Sequence, residues 1–252
     1  MKPNVYILIP AFNESANIHQ VVTELKELRV DAIPLVNEVI VCDNNSSDDT
    51  ANLAKQAGAQ VISETQQGYG KACLSAMHHL RSFKPAPNDV IIFVDGDNSV
   101  EASEVPLMVQ ALAETKGLVV GARTGSQIQR GAMAPQQRVG NIVASALIRF
   151  LWRERVTDLG PFRALYYGDL INLFMQDEAF GWTTEMQVKA IQKGLPYKEI
   201  PVTTKRRGGR SKISGTLLGT IGAAHGIFST IFWLWWQERS ASYSTDPSDR
   251  YF

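Results

Sequence analysis

Four short β-branched runs, Val5–Ile9, Glu38–Cys42, Val90–Val94 and Leu118–Val120, are separated by stretches whose apolar residues recur at helical spacing, as at Ile18, Val21, Val22, Leu25 and Leu28. Such alternation predicts an α/β chain: a mostly parallel sheet with helices on both faces. A further strand at Lys198–Val202, a helix over Arg138–Trp152 and another around Thr184–Lys193, ended by Gly194, extend the pattern. Ligands of open sheets bind beyond the carboxyl ends of the strands, so the informative residues are those that follow each run.

Three runs deliver polar or acidic residues to that edge: Pro10-Ala-Phe-Asn-Glu14 after the first, Asp43-Asn-Asn-Ser-Ser-Asp-Asp-Thr50 after the second, and Asp95-Gly-Asp97 after the third. Two carboxylates flanking Gly96 suit one divalent ion, because Mg2+ or Mn2+ takes one or two carboxylates and fills its shell with water and substrate phosphates. The same triplet also suits a solvated turn. Asp43, at a strand tip, can accept the imino N–H of a nucleotide base, while the Ser/Asp run behind it can cap the next helix. Asn13 and Glu14 read equally as a helix cap or as ribose and base contacts.

Balanced charge, 25 Lys+Arg against 25 Asp+Glu, leaves no global field for nucleic acid, so basic function must be local. One local cluster stands out: Arg206, Arg207, Arg210 and Lys212, in a Gly-interrupted segment able to fold over an anion. Cys42 and Cys73 show neither zinc nor disulfide spacing and fit a reducing compartment. Val5–Ile9 is too short for a signal-peptide core, so the active part is expected in the cytoplasm. One core accounts for residues 1–212 as a single catalytic domain; an apolar segment, 213–236, and a polar tail, 237–252, follow.

Ile9-Pro-Ala-Phe-Asn-Glu14, Asp43 with its acidic continuation, Gly68-Tyr-Gly-Lys-Ala72 and Asp95-Gly-Asp97 resemble the donor-binding half of family-2 glycosyltransferases. Gly121-Ala-Arg123, Asp158-Leu-Gly-Pro-Phe-Arg163, Gly181-Trp-Thr-Thr-Glu185 and Arg207-Gly-Gly-Arg-Ser-Lys212 are similar to the dolichyl- and polyprenyl-phosphate sugar transferases in particular. The resemblance implies a Rossmann-like glycosyltransferase A fold, inverting transfer of a hexose from a UDP- or GDP-sugar, and Mg2+ or Mn2+ at Asp95 and Asp97. Ser99 is counted as a third candidate ligand; it stands where family members commonly carry Gln. Leu-Gly-Pro-Phe-Arg163 likewise replaces a usual Thr-Ser-Gly-Phe-Arg.

By the same resemblance Pro10, Ala11, Asn13, Glu14, Asp43, Gly70, Lys71 and the basic segment contact the donor, and Arg123 and Arg138 hold an acceptor phosphate. The residues alone allow a plain loop-to-helix junction at Gly70 and Lys71, and a local pair for Arg138. A phosphate monoester is already ionised near neutrality and needs no general base, whereas a hydroxyl acceptor does. Asp158 and Glu185 are the candidate bases; Glu185 equally suits a salt bridge that orients the basic segment. Residues 213–236, Trp-rich and free of Asp, Glu, Lys and Arg, suggest a helix at a membrane surface or against a partner ahead of a soluble core helix, with a span the least expected. A non-catalytic nucleotide-sugar binding protein is the alternative of another class, and the sequence specifies no oligomeric state.

Overall fold

The first apolar run becomes β1 (Val5–Ala11), buried along its whole length at the middle of a seven-stranded sheet. Its residues alternate between two cores: Val5, Ile7 and Ile9 point to one face, Tyr6 and Leu8 to the other. Both faces being covered explains why the run is continuously apolar rather than alternating. The computed structural model describes residues 2–123, 128, 129, 131–206 and 217–243.

After β1 come α1 (Ile18–Glu27), a two-residue ribbon β2 (Arg29–Val30) and β3 (Ile33–Pro34), β4 (Glu38–Asp43), α2 (Thr50–Gln56), β5 (Gln60–Ser63) and α3 (Tyr69–Leu80). The chain continues with β6 (Val90–Phe93), α4 (Val105–Thr115), β7 (Leu118–Ala122), α5 (Pro135–Trp152), β8 (Arg163–Tyr166), α6 (Tyr167–Asn172), α7 (Trp182–Gln192), β9 (Tyr197–Pro201) and α8 (Leu217–Tyr243). Strand order is β5-β4-β1-β6-β8-β7-β9. All neighbours run parallel except β8, which is antiparallel to both β6 and β7.

The mostly parallel α/β architecture expected from the runs is present. Besides the short β2–β3 ribbon, two strands of the main sheet went unread, for opposite reasons. β5 is an edge strand with only partly buried or exposed residues, so it lacks the apolar signal. β8 opens on Arg163, a charged residue that is fully buried in the middle of the sheet.

α1, α2 and α4 cover one face through Ile18, Val22, Leu25, Ala54, Met108 and Leu112; α3, α6 and α7 cover the other through Cys73, Ala76, Leu80, Leu170, Trp182 and Met186. Each fully buried aliphatic or aromatic side chain contributes roughly 1.5–3 kcal/mol. Trp182 also meets Phe93 edge-to-face with centroids 5.9 Å apart, tying α7 to β6. A third cluster, including Ala144, Ile148, Val188, Ile231 and Leu234, packs α5, α7 and α8 together. One side of α8 is therefore core, while Phe232, Trp233 and Trp236 stay exposed. Among the described residues no helix is long and apolar enough to cross a membrane.

Candidate active site

Strand register brings the donor-side residues to one edge. Ala11 lies opposite Asp43, Pro10 opposite Cys42, and Val94, which follows β6, donates its N–H to Leu8 at 3.1 Å, so Asp95 and Asp97 extend past the same end. Behind β1 the chain turns with Asn13 in the left-handed region, φ 54°. Asn13 accepts Ser47 N–H at 2.7 Å through its side chain and donates its own N–H to the Ser46 hydroxyl at 2.9 Å; Glu14 N–H reaches the Thr50 hydroxyl at 2.7 Å. The two polar loops thus satisfy each other. Burial opposes charge on Asp48, but hydrogen bonds from Thr50 and Ser15 outweigh it and hold its pKa below the usual value.

Asp43 is 8% exposed, and its Oδ2 accepts Ser46 N–H at 3.4 Å. Its Oδ1 is buried with no hydrogen-bond partner among the described residues, and a buried polar atom in that condition calls for a donor from elsewhere.

Asp95 accepts the Tyr69 hydroxyl at 3.1 Å, and Asp97, 6% exposed, accepts Ser99 N–H at 3.0 Å. A Cβ on Gly96 would come within 3.2 Å of Ile18 and 3.4 Å of Ile9, so the turn packs closely against α1 and β1 there. Among the described residues no group of three or more His, Cys, Asp or Glu could hold a metal. Two carboxylates are nevertheless what Mg2+ or Mn2+ needs when substrate phosphates supply further oxygens, so the residues present fit such an ion.

The chain that enters the basic segment lies beside this pair. Thr204 bridges Val100 and Ile128, Lys205 N–H donates to Ser99 O at 2.9 Å, and Lys205 Nζ reaches Asn98 at 2.9 Å and Glu101 at 3.3 Å. Arg206 follows, exposed, its N–H on Gln129 at 3.0 Å. Arg207, Arg210 and Lys212 lie outside the described residues.

Next to Ser99 a cleft opens to solvent, lined among others by Ser99, Arg123, Gln137, Phe162, Thr203 and Thr204. Arg123 is gripped by Asp158: its Nε and Nη2 reach the two carboxylate oxygens at 2.9 and 2.7 Å. Burial works against the guanidinium charge, but Asp158, then Asp95 and Asp97, outweigh it and raise its pKa.

The sequence matches the profile of glycosyl transferase family 2 over residues 6–174, which spans both the Asp43 edge and the acidic pair. The chain belongs to that family. An uncharacterized glycosyltransferase of Mycobacterium tuberculosis is 34% identical over 219 residues, covering 86% of this chain and 93% of the relative. A dolichyl-phosphate hexose transferase of Haloferax volcanii is 26% identical, covering 82% and 85%. Among solved structures, glucosyl-3-phosphoglycerate synthase from Mycobacterium tuberculosis in complex with Mn2+, UDP and phosphoglyceric acid shares the fold with TM-score 0.72 at 23% identity, covering 93% of this chain and 79% of that one. The synthase with Mg2+ and UDP gives TM-score 0.67 at 21% identity, covering 92% and 79%. The glycosyltransferase A fold expected from the motifs is thereby shown.

Within this glycosyltransferase several candidate residues have their polar groups engaged inside the protein. Gly70 and Lys71 do not offer their amides to a phosphate: these donate to Ala179 O and Glu178 O at 3.0 and 2.9 Å, and Lys71 Nζ pairs with Glu178 at 2.8 Å. Glu185 is 1% exposed and accepts Gln176 and Asp177 N–H groups at 2.8–3.0 Å while pairing with Lys189 at 2.7 Å, so it holds a loop and is shut off from any acceptor hydroxyl. Asp158, fully buried and committed to Arg123, is equally unsuited as a base. Arg138 is exposed on α5, where its neighbour Gln137 is the one lining the cleft. Sequence reasoning passed over Tyr69, Gln137, Thr203 and Thr204; only Tyr69 lay inside a noticed motif.

Proposed function

We propose that this glycosyltransferase moves a hexose from a nucleoside diphosphate sugar to a polyprenyl phosphate, with inversion, at the carboxyl edge of β1, β4 and β6. The carrying observation is the common edge: the unpartnered buried Asp43 Oδ1 awaits a donor such as a base N–H, and the acidic pair lies two strands away beside the approach to the basic segment. In this reading Pro10, Ala11, Asn13 and Glu14 form the rim beside Asp43. Asp95 and Asp97, with Ser99, hold Mg2+ or Mn2+. Bound there, the ion supplies positive charge against the diphosphate. Arg206, with the positive charge of Arg207, Arg210 and Lys212, stabilises charge on the departing nucleotide. The synthase structures that carry UDP with Mn2+ or Mg2+ support this donor chemistry.

Arg123, facing the cleft, receives the acceptor phosphate. A phosphate acceptor is favoured because both carboxylates considered as bases are buried and engaged, and an ionised phosphate oxygen needs neither. The dolichyl-phosphate hexose transferase relative points the same way.

A lipid acceptor requires contact with the cytoplasmic face of a membrane. α5 supports this: Val139, Ile142, Val143 and Phe150 form an exposed apolar stripe, Phe150 at 80% exposure, flanked by Arg138, Arg149 and Arg153 with no acidic residue on the helix. Incubation with UDP- and GDP-hexoses, Mn2+ and polyprenyl phosphate tests the whole reading. A lipid-linked sugar is expected, lost in Asp97→Ala; donor turnover only on soluble hydroxyl acceptors rejects the lipid acceptor, and full activity of Asp97→Ala rejects the metal site.

A further inference from the structure

In the Gly68-Tyr-Gly-Lys71 motif the Gly70 and Lys71 amides are taken by the 177–179 loop, and the motif is built to close tolerance. A Cβ on Gly68 would sit 2.2 Å from Glu178 O, and one on Gly70 would sit 2.0 Å from Asp177 O. Only glycine lets the backbone of the 177–179 loop come so near that its carbonyls take the Gly70 and Lys71 amides. That loop is itself pinned: Glu185 accepts the N–H groups of Gln176 and Asp177, and the Asp177 carboxylate accepts Ala179 N–H at 2.8 Å and the Thr230 hydroxyl of α8 at 3.1 Å. From the other side Asn44, next to Asp43, accepts Gly68 N–H at 2.7 Å. The first residue of α3 is thus fixed from two directions, and that residue is Tyr69, whose hydroxyl donates to Asp95 Oδ1 at 3.1 Å.

We infer that Tyr69 is a positioning residue for the divalent cation, its hydroxyl setting the orientation of the Asp95 carboxylate, and that the glycine motif exists to seat it. The inference rests on the reading of Asp95 and Asp97 as cation ligands. A phenol is protonated at neutral pH and so donates to the carboxylate. Partners of this kind, hydrogen-bonded to a ligating carboxylate, orient it before the ion arrives, and losing one typically weakens metal affinity about 10–100-fold.

The test is Mn2+ titration in the presence of UDP, following the free-ion electron paramagnetic resonance signal, for the full chain and for Tyr69→Phe. Melting without metal and UDP binding without metal are measured alongside. Expected are about tenfold or weaker Mn2+ binding, unchanged metal-free UDP affinity, and turnover at saturating Mn2+ that falls far less than the affinity does. Equal Mn2+ affinity in the two chains overturns the inference alone. So does a Tyr69→Phe chain that loses metal-free UDP binding or its cooperative melting, since the residue then serves the site's general packing. An unsubstituted chain that takes up no Mn2+ with UDP, nor with GDP in its place, overturns the proposed function, and this inference with it.

Discussion

Asp158 accepts three hydrogen bonds from a single residue, Arg123: the backbone N–H at 2.7 Å, Nε at 2.9 Å and Nη2 at 2.7 Å. Gly160 makes room for this grip, since a Cβ there would lie 3.0 Å from Asp158 Oδ2. Asp158 is held in turn by Glu199, which accepts its N–H at 3.3 Å, and by Gln187, which donates to its carbonyl at 3.0 Å. Removing one partner of a buried pair leaves an uncompensated charge and costs about 3–5 kcal/mol. Arg123 keeps some solvent contact, so Asp158→Ala is expected at about 3 kcal/mol, the low end of that range, read as a lower urea midpoint. A loss under about 1 kcal/mol would place the pair with ordinary surface bridges.

Gly70→Ala drives a methyl group into the Asp177 carbonyl, and backbone cannot swing aside as a flexible side chain can. Overpacking of this kind costs about 3 kcal/mol, and differential scanning calorimetry should show a clear drop in Tm. Gly140→Ala, on open space, is the control that should hold or slightly gain stability, since alanine is the better helix former.

On α5, replacing Ile142 and Phe150 together by Ser removes exposed apolar surface without opening the core. Liposomes containing anionic lipid are expected to carry the unsubstituted chain upward in a flotation gradient and to carry the double variant much less, with Tm nearly unchanged. Equal flotation of both would remove α5 from any membrane contact.

Asp48 supplies a pH signature. Its carboxylate is held below the ordinary aspartate value of about 3.9 in the folded chain. A depressed folded pKa adds stability above the unfolded value and loses it as pH falls through the folded one. Asp48→Asn should therefore lower the urea midpoint at pH about 6 and make its decline below pH about 4 shallower. Parallel declines in the two chains would show that Asp48 contributes nothing to the acid limb.

The pattern of apolar runs made the sheet and its polar edge readable because side-chain periodicity is a property of neighbours in sequence: Val5–Ile9 and Val90–Val94 are short, β-branched and continuously apolar, which favours strands covered on both faces. The motifs around Asp43 and Asp95 were readable for the same reason, each being a loop attached to the end of such a run. Family membership followed from their order along the chain.

What folding alone decided is which group answers which across long separations. The amides of Gly70 and Lys71 looked available because the 177–179 loop, more than a hundred residues onward, cannot be seen arriving. Glu185 and Asp158 looked like bases because burial and committed oxygens are properties of surroundings rather than residue type. β8 hid behind a buried Arg163 whose guanidinium reaches Gly160 O and Gln187 at 2.8 and 2.9 Å and also the Thr183 carbonyl. Local periodicity fixes where hydrophobic surface must go; the pairing of polar atoms is settled only once that burial has brought distant segments together.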